Sequence, residues 1–133
     1  MPLRITALYA ALLTLLFLGL TWRVIAFRRA RRVDMGSRGD PLLERYIRAH
    51  GNFAEYAPLS LILLGTLDLG GWPAWLLHLL GLTILGGRLA HAWSFSVAEL
   101  REPSRVVGMA LSITALSVMV VLCLGQAILG ATL

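Results

Sequence analysis

The chain has 133 residues, of which 58% are apolar and 14% charged, against about 45–50% and about 25% in soluble domains. A water-soluble fold this short cannot hide so much apolar surface, because small domains bury only about two-thirds of what the chain exposes. The net charge is +5 and every basic residue is Arg; these charges cluster in two connections between apolar runs with no nucleic-acid motif among them, which favours membrane topology over a nucleic-acid partner and points to an all-α integral membrane four-helix bundle in a lipid bilayer.

The first helix is predicted over 3–27. Its uncharged core, Ile5 to Trp22, is too long for a signal-peptide h-region of about 7–15 residues. Arg23 and an Arg cluster follow in a stop-transfer pattern, so a retained span is expected. The segment 28–40 carries Arg28, Arg29, Arg31, Arg32 and Arg38 and reads as a polar loop. Its bland role is a topology anchor drawn to anionic lipid. Asp40 before Pro41 has the form of an N-cap followed by proline at the first helical position.

The second helix is predicted over 41–69, charged in its first third and uncharged from Tyr56 to Leu67. Pro58 lies within it. Gly70-Gly71-Trp72-Pro73 reads as a tight turn, with Trp72 and Trp75 at a water interface. The third helix is predicted over 74–95, a charged connection over 99–105, and an uncharged fourth helix over 106–131. One domain spans 1–133. The basic connections 28–48 and 97–105 fall on one side, which the positive-inside rule makes cytoplasmic.

Chemistry concentrates on the second helix. Arg48, Asn52 and Glu55 stand at i, i+4 and i+7 and share a face, with Tyr56 beside it. Guanidinium, amide, carboxylate and phenol together suit a small zwitterionic ligand. Spacing alone leaves a second reading open, in which an internal Arg–Glu pair fixes helix packing. Arg88 is expected as a structural partner for Glu55. His91 is a possible base with an ordinary pKa of about 6.5, although such histidines more often pack at interfaces. His50 and His78 have no metal spacing, Asp68 reads as a solvated cap, and Cys123 is a buried small hydrophobe. No metal is expected. Glycines 81, 86, 87, 125 and 130 would permit close helix approach.

The stretch Arg48-Ala49-His50-Gly51-Asn52-Phe53-Ala54-Glu55-Tyr56-Ala57-Pro58-Leu59 resembles the R-x-x-x-N-x-x-E-Y-x-P-L signature of the MAPEG family, the membrane-associated proteins in eicosanoid and glutathione metabolism. Gly87-Arg88-Leu89-Ala90-His91 and Arg105-Val106-Val107-Gly108-Met109 are similar to stretches of bacterial members. The resemblance covers nearly the whole chain. It implies a homotrimer in a bacterial inner membrane that binds glutathione as co-substrate between subunits. The implied activity is glutathione transferase or peroxidase chemistry on apolar electrophiles, a detoxification role. Carried onto this chain, Arg48, Asn52, Glu55 and Tyr56 hold glutathione, with Arg28, Arg31, Arg88 and His91 as further contacts. Arg105 is the nearest match to the family's thiolate-stabilising Arg. His91 and Phe95 stand where eukaryotic members carry tyrosines. Two other classes are a non-catalytic membrane scaffold and a small proton-coupled transporter using Glu55. The expected Arg48–Glu55 and Arg88–Glu55 proximity argues against the transporter, since it would hold the carboxylate ionised.

Overall fold

The structure is a computed structural model that describes residues 3–95 and 102–130. It has four α-helices, α1 (Arg4–Arg31), α2 (Pro41–Leu69), α3 (Ala74–Ser94) and α4 (Glu102–Leu129), and no strand among the described residues. Of the predicted connection 99–105, residues 99–101, with Glu99 and Arg101, lie outside the described residues, as does the predicted helix end at 131.

Two boundaries differ from the sequence expectation. α1 runs on through Arg28, Arg29 and Arg31 instead of ending at 27. Arginine is a good helix former, and cations in a last turn oppose the negative end of the helix dipole. α4 begins at Glu102 rather than 106. Pro103 reads as a loop residue in sequence, yet the N–H groups of a helix's first turn have no intrahelical acceptor, so proline there costs no helix hydrogen bond. Arg105 is therefore inside α4, in its first turn. The start of α2 is as expected: Asp40 Oδ1 accepts hydrogen bonds from the backbone N–H groups of Leu42 at 2.9 Å and Leu43 at 3.1 Å.

α2 and α3 form the middle of the bundle. α1 and α4 each pack against both, and make no contact with one another among the described residues. This arrangement sorts the helices by polarity. α1 and α4, the outer pair, are the two long and apolar enough to cross a membrane, and only 11% and 22% of their apolar windows are buried inside the bundle. A core helix of a soluble protein would be mostly buried; these turn their apolar surface outward. On α1, Leu8, Leu12, Leu15, Leu18, Trp22 and Ile25 form one exposed stripe at helical spacing. α2 and α3 fall short of that measure because they carry the polar groups of the interior. Their outward faces are still apolar, with Leu59 and Ile62 on α2 and Leu79, Leu82 and Leu89 on α3 exposed.

The interior is tied together by a few polar contacts at each end. Asp68 is not a solvated cap of its own helix: its Oδ2 accepts from the backbone N–H of Thr6 at 2.9 Å and from Thr6 Oγ1 at 2.8 Å, so it caps α1 instead. The Trp72 indole N–H donates to Gln126 Oε1 at 2.8 Å, joining the α2–α3 turn to α4. Buried Tyr9 places its hydroxyl 3.1 Å from both His78 Nδ1 and the His78 carbonyl oxygen, with its ring over Gly81. His50 lies against the Phe17 ring and 3.0 Å from Thr21 Oγ1. Both histidines serve packing, and no group of three metal-ligating side chains forms among the described residues.

α3 and α4 approach most closely where Gly87 faces Gly108. A Cβ on Gly108 would lie 2.7 Å from both the Gly87 carbonyl oxygen and the His91 backbone nitrogen. A Cβ on Gly87 would lie 2.9 Å from the Gly108 carbonyl oxygen. Backbone cannot yield as a flexible side-chain end can. Of the glycines predicted to allow close approach, Gly81 and Gly87 do so, whereas Gly86 and Gly125 border open space and Gly130 lies beyond the end of α4. Gly108→Ala is expected to destabilise the bundle by about 1–3 kcal/mol, with Gly86→Ala near neutral. Thermal melts of both variants in one detergent check this.

Candidate functional site

At the arginine-rich end of the bundle, α2, the last turns of α3 and the first turns of α4 enclose a cleft of about 960 Å³. Helical spacing builds one wall: Glu44, Arg48, Asn52 and Glu55 recur every three or four residues along one face of α2. His91 and Phe95 close the back of the cleft. The third wall is α4, with Arg105 at its N-terminal end and then Val106, Met109, Ala110 and Ile113. One side of the cleft is thus charged and the other apolar.

Behind the cleft lies Arg88, which is 1% exposed. Its Nη1 donates to Asn52 Oδ1 at 2.7 Å. Its Nε and Nη2 both donate to Ser112 Oγ, at 3.0 and 2.6 Å, and Ser112 passes its own hydrogen to the Gly108 carbonyl oxygen at 2.8 Å. The guanidinium also sits 4.8 Å from the centre of the Tyr56 ring. Arg88 is a structural partner, as expected, but for Asn52, Ser112 and Tyr56 rather than for Glu55. Guanidinium geometry explains this: its fork spans α2 on one side and α4 on the other from a position on α3. Glu55 remains exposed on the cleft wall.

This contact sets the chemistry that Asn52 offers. With Oδ1 occupied by Arg88, its amide NH₂ is left as a donor toward the cleft. Arg48 offers a guanidinium fork, Glu55 a carboxylate and Arg105 a cation beside the apolar wall. A ligand with both carboxylates and an ammonium fits such a set.

Among the residues singled out in sequence, Arg48, Asn52, Glu55, His91 and Arg105 line one cleft. Tyr56 and Arg88 stand immediately behind it. Arg28 and Arg31 do not line it. They sit at the end of α1, where Arg31 lies 3.9 Å from Asp40 and over the Phe27 ring. Glu44, Ser112 and the apolar α4 residues had no signal as site residues, since each suits an ordinary helix face. Glu44 accepts a hydrogen bond from Ser37 Oγ at 2.8 Å.

A family model for MAPEG matches residues 6–125, the span that holds every wall of the cleft. The chain belongs to the MAPEG family. It is accordingly a membrane protein, which accounts for the outward apolar stripes of α1 and α4. Similar relatives include two Escherichia coli proteins named inner membrane protein YecN, from strains K12 and CFT073. Each is 36% identical over 91 residues, 68% of this chain and 70% of the relative.

Removing the acceptor that Arg88 uses on α4 should loosen this MAPEG bundle. Ser112→Ala leaves Nε buried without a partner and Nη2 with only the weak Met109 Sδ acceptor at 3.9 Å, at an expected cost of about 1–3 kcal/mol. Ser112→Thr keeps the hydroxyl and should lose less. The difference in melting temperature between the two variants reads the hydrogen bonds rather than the volume change.

Proposed function

We propose that the cleft binds glutathione and delivers its thiolate to apolar electrophiles that arrive from the bilayer, as a glutathione transferase or peroxidase. The observation that carries this reading is the division of a single cleft into a charged wall on α2 and an apolar wall on α4, with Arg105 where the two meet. Family membership supports it. Glu55 takes the ligand's ammonium, Arg48 a carboxylate, and the Asn52 NH₂ a carbonyl oxygen. Tyr56, held under the Arg88 guanidinium, completes the polar side.

The transfer needs a thiolate, and a free thiol with a pKa of about 8.5 is mostly protonated at neutral pH. Arg105 stabilises the anion. The sulfur lone pair then forms the bond to the electrophilic carbon, and the displaced group leaves with its electron pair. His91 and Phe95 replace hydroxyl groups at the back of the cleft, so Arg105 carries more of this stabilisation.

In this reading all four helices cross the membrane, and the basic segments 28–48 and 97–105, the helix ends with the connections between them, face the cytoplasm. The location matches the inner membrane named for the Escherichia coli relatives. Three copies assemble, and the mouth of each cleft faces a neighbour. Arg28 and Arg31 lie off their own chain's cleft, so they reach glutathione only as the partner subunit's Arg28 and Arg31.

Two variants test the assignment. Asn52→Asp retains an acceptor for Arg88 but loses the NH₂ donor, and should weaken glutathione binding about 10-fold while the melting temperature holds. Calorimetry in detergent reads the affinity, and unchanged affinity would remove Asn52 from the site. Arg105→Ala should bind glutathione within a few-fold of wild type but lower turnover about tenfold or more at neutral pH. Its rate should climb with pH until the thiol ionises unaided near its ordinary pKa of about 8.5, while the wild type levels off at lower pH. Parallel pH profiles would dismiss Arg105 as the source of thiolate stabilisation.

A further inference from the structure

A second groove lies between α1 and α3, on the face of α3 turned away from the cleft. It measures about 290 Å³ and is walled by Leu15, Leu16, Gly19 and Leu20 on α1 and by Leu89, Ala92 and Trp93 on α3. Arg23 closes its basic end. Leu15, Leu89 and Trp93 are all exposed, so the groove opens outward along the bundle's apolar surface. We propose that this groove holds an acyl chain of an anionic phospholipid whose phosphate is bound by Arg23.

Three observations converge on that occupant. The first is depth. Arg23 directly follows the uncharged run from Ile5 to Trp22, which at about 1.5 Å per residue nearly crosses a hydrocarbon layer of about 30 Å. The Arg23 guanidinium therefore stands where lipid headgroups begin, at the arginine-rich end of the bundle. It is steadied there by the Tyr46 ring, whose centre lies 4.2 Å away. The second is the pair of exposed tryptophans at that end: Trp22 adjoins Arg23 in sequence and Trp93 lines the groove. Indole rings favour the headgroup level.

The third observation is shape combined with charge. Gly19 leaves the middle of the groove open, with nothing within 4 Å of where a Cβ would stand. From Leu15 to Arg23 the walls run for about 12 Å along α1, a length suited to the upper part of an acyl chain and too short for a whole lipid. A neutral lipid would fill the apolar walls equally well. A cation at the mouth adds a preference for a negative headgroup, because each Arg near a membrane surface contributes about 1 kcal/mol, roughly a fivefold bias.

The test is lipid retention by the purified full chain. Protein reconstituted in vesicles of equal phosphatidylglycerol and phosphatidylcholine is extracted in mild detergent, and the bound lipids are identified by native mass spectrometry. Wild type should retain phosphatidylglycerol over phosphatidylcholine by about fivefold or more. Arg23→Gln should abolish that preference and Arg23→Lys should keep most of it. Arg29→Gln, which removes an exposed cation at the same end, should change it little. Gly19→Leu fills the groove and should lower retention of both lipids, with helix content unchanged by circular dichroism. Equal retention of the two lipids by wild type would overturn the proposal, and so would equal effects of the Arg23→Gln and Arg29→Gln variants. A Gly19→Leu variant that breaks up an oligomer yet retains lipid as before would assign the groove to a second copy of the chain instead.

Discussion

The guanidinium of Arg88 is the constraint on which the rest of the bundle turns. A charge at membrane depth is costly, by about 2.5–3.5 kcal/mol on insertion scales, unless neighbouring groups take its hydrogen bonds. Here Asn52 supplies the acceptor on α2 and Ser112 the acceptor on α4, at 2.7 and 2.6 Å. The reach to Ser112 exists because α3 and α4 close up where Gly87 meets Gly108, and the Ser112 hydroxyl is aimed by the Gly108 carbonyl oxygen. One buried charge thus fixes the spacing of three helices. It also orients Asn52, so the support of the fold and the polar wall of the cleft are parts of one network.

The same logic explains how the chain divides its polarity. α2 and α3 sit in the middle because they carry the charged, amide and imidazole side chains that need partners there, and α1 and α4 take the outside because at that depth they contribute only neutral groups such as the hydroxyls of Tyr9, Thr21 and Ser112. The cleft forms where this sorting breaks down, at the end where α2 and the start of α4 carry charge. That is where water meets hydrocarbon, so one concavity can be polar on the α2 side and apolar on the α4 side. A hydrophilic thiol and a lipid-soluble electrophile require such a place to meet.

Much of this was legible in the residues. The apolar runs, the Asp40–Pro41 cap and the glycine turn before Pro73 set out four helices because each rests on local chemistry. The stripe Arg48, Asn52, Glu55 was legible because helical spacing alone puts those side chains on one face. What escaped depends on pairings between distant segments. Asp68 looked like the cap of its own helix, and nothing in its neighbourhood reveals that Thr6 is the group it binds. Arg88 was assigned to Glu55 on charge, whereas a neutral amide and a hydroxyl hold it. Ser112 is one small polar residue in an apolar helix, and only the α3–α4 contact gives it meaning. Pro103 was misleading because proline both ends helices and begins them; with it inside α4, Arg105 moves from a loop to the cleft wall.

The central claim is that the Arg88 network builds a cleft that takes glutathione with its thiol toward Arg105. A structure of the protein in lipid with glutathione bound tests this most directly. The account predicts the tripeptide between α2 and α4, with its ammonium on Glu55, its sulfur beside Arg105, and Asn52 still accepting from Arg88. An empty cleft at saturating glutathione would contradict it, as would a ligand seated elsewhere or an Asn52 turned away from Arg88.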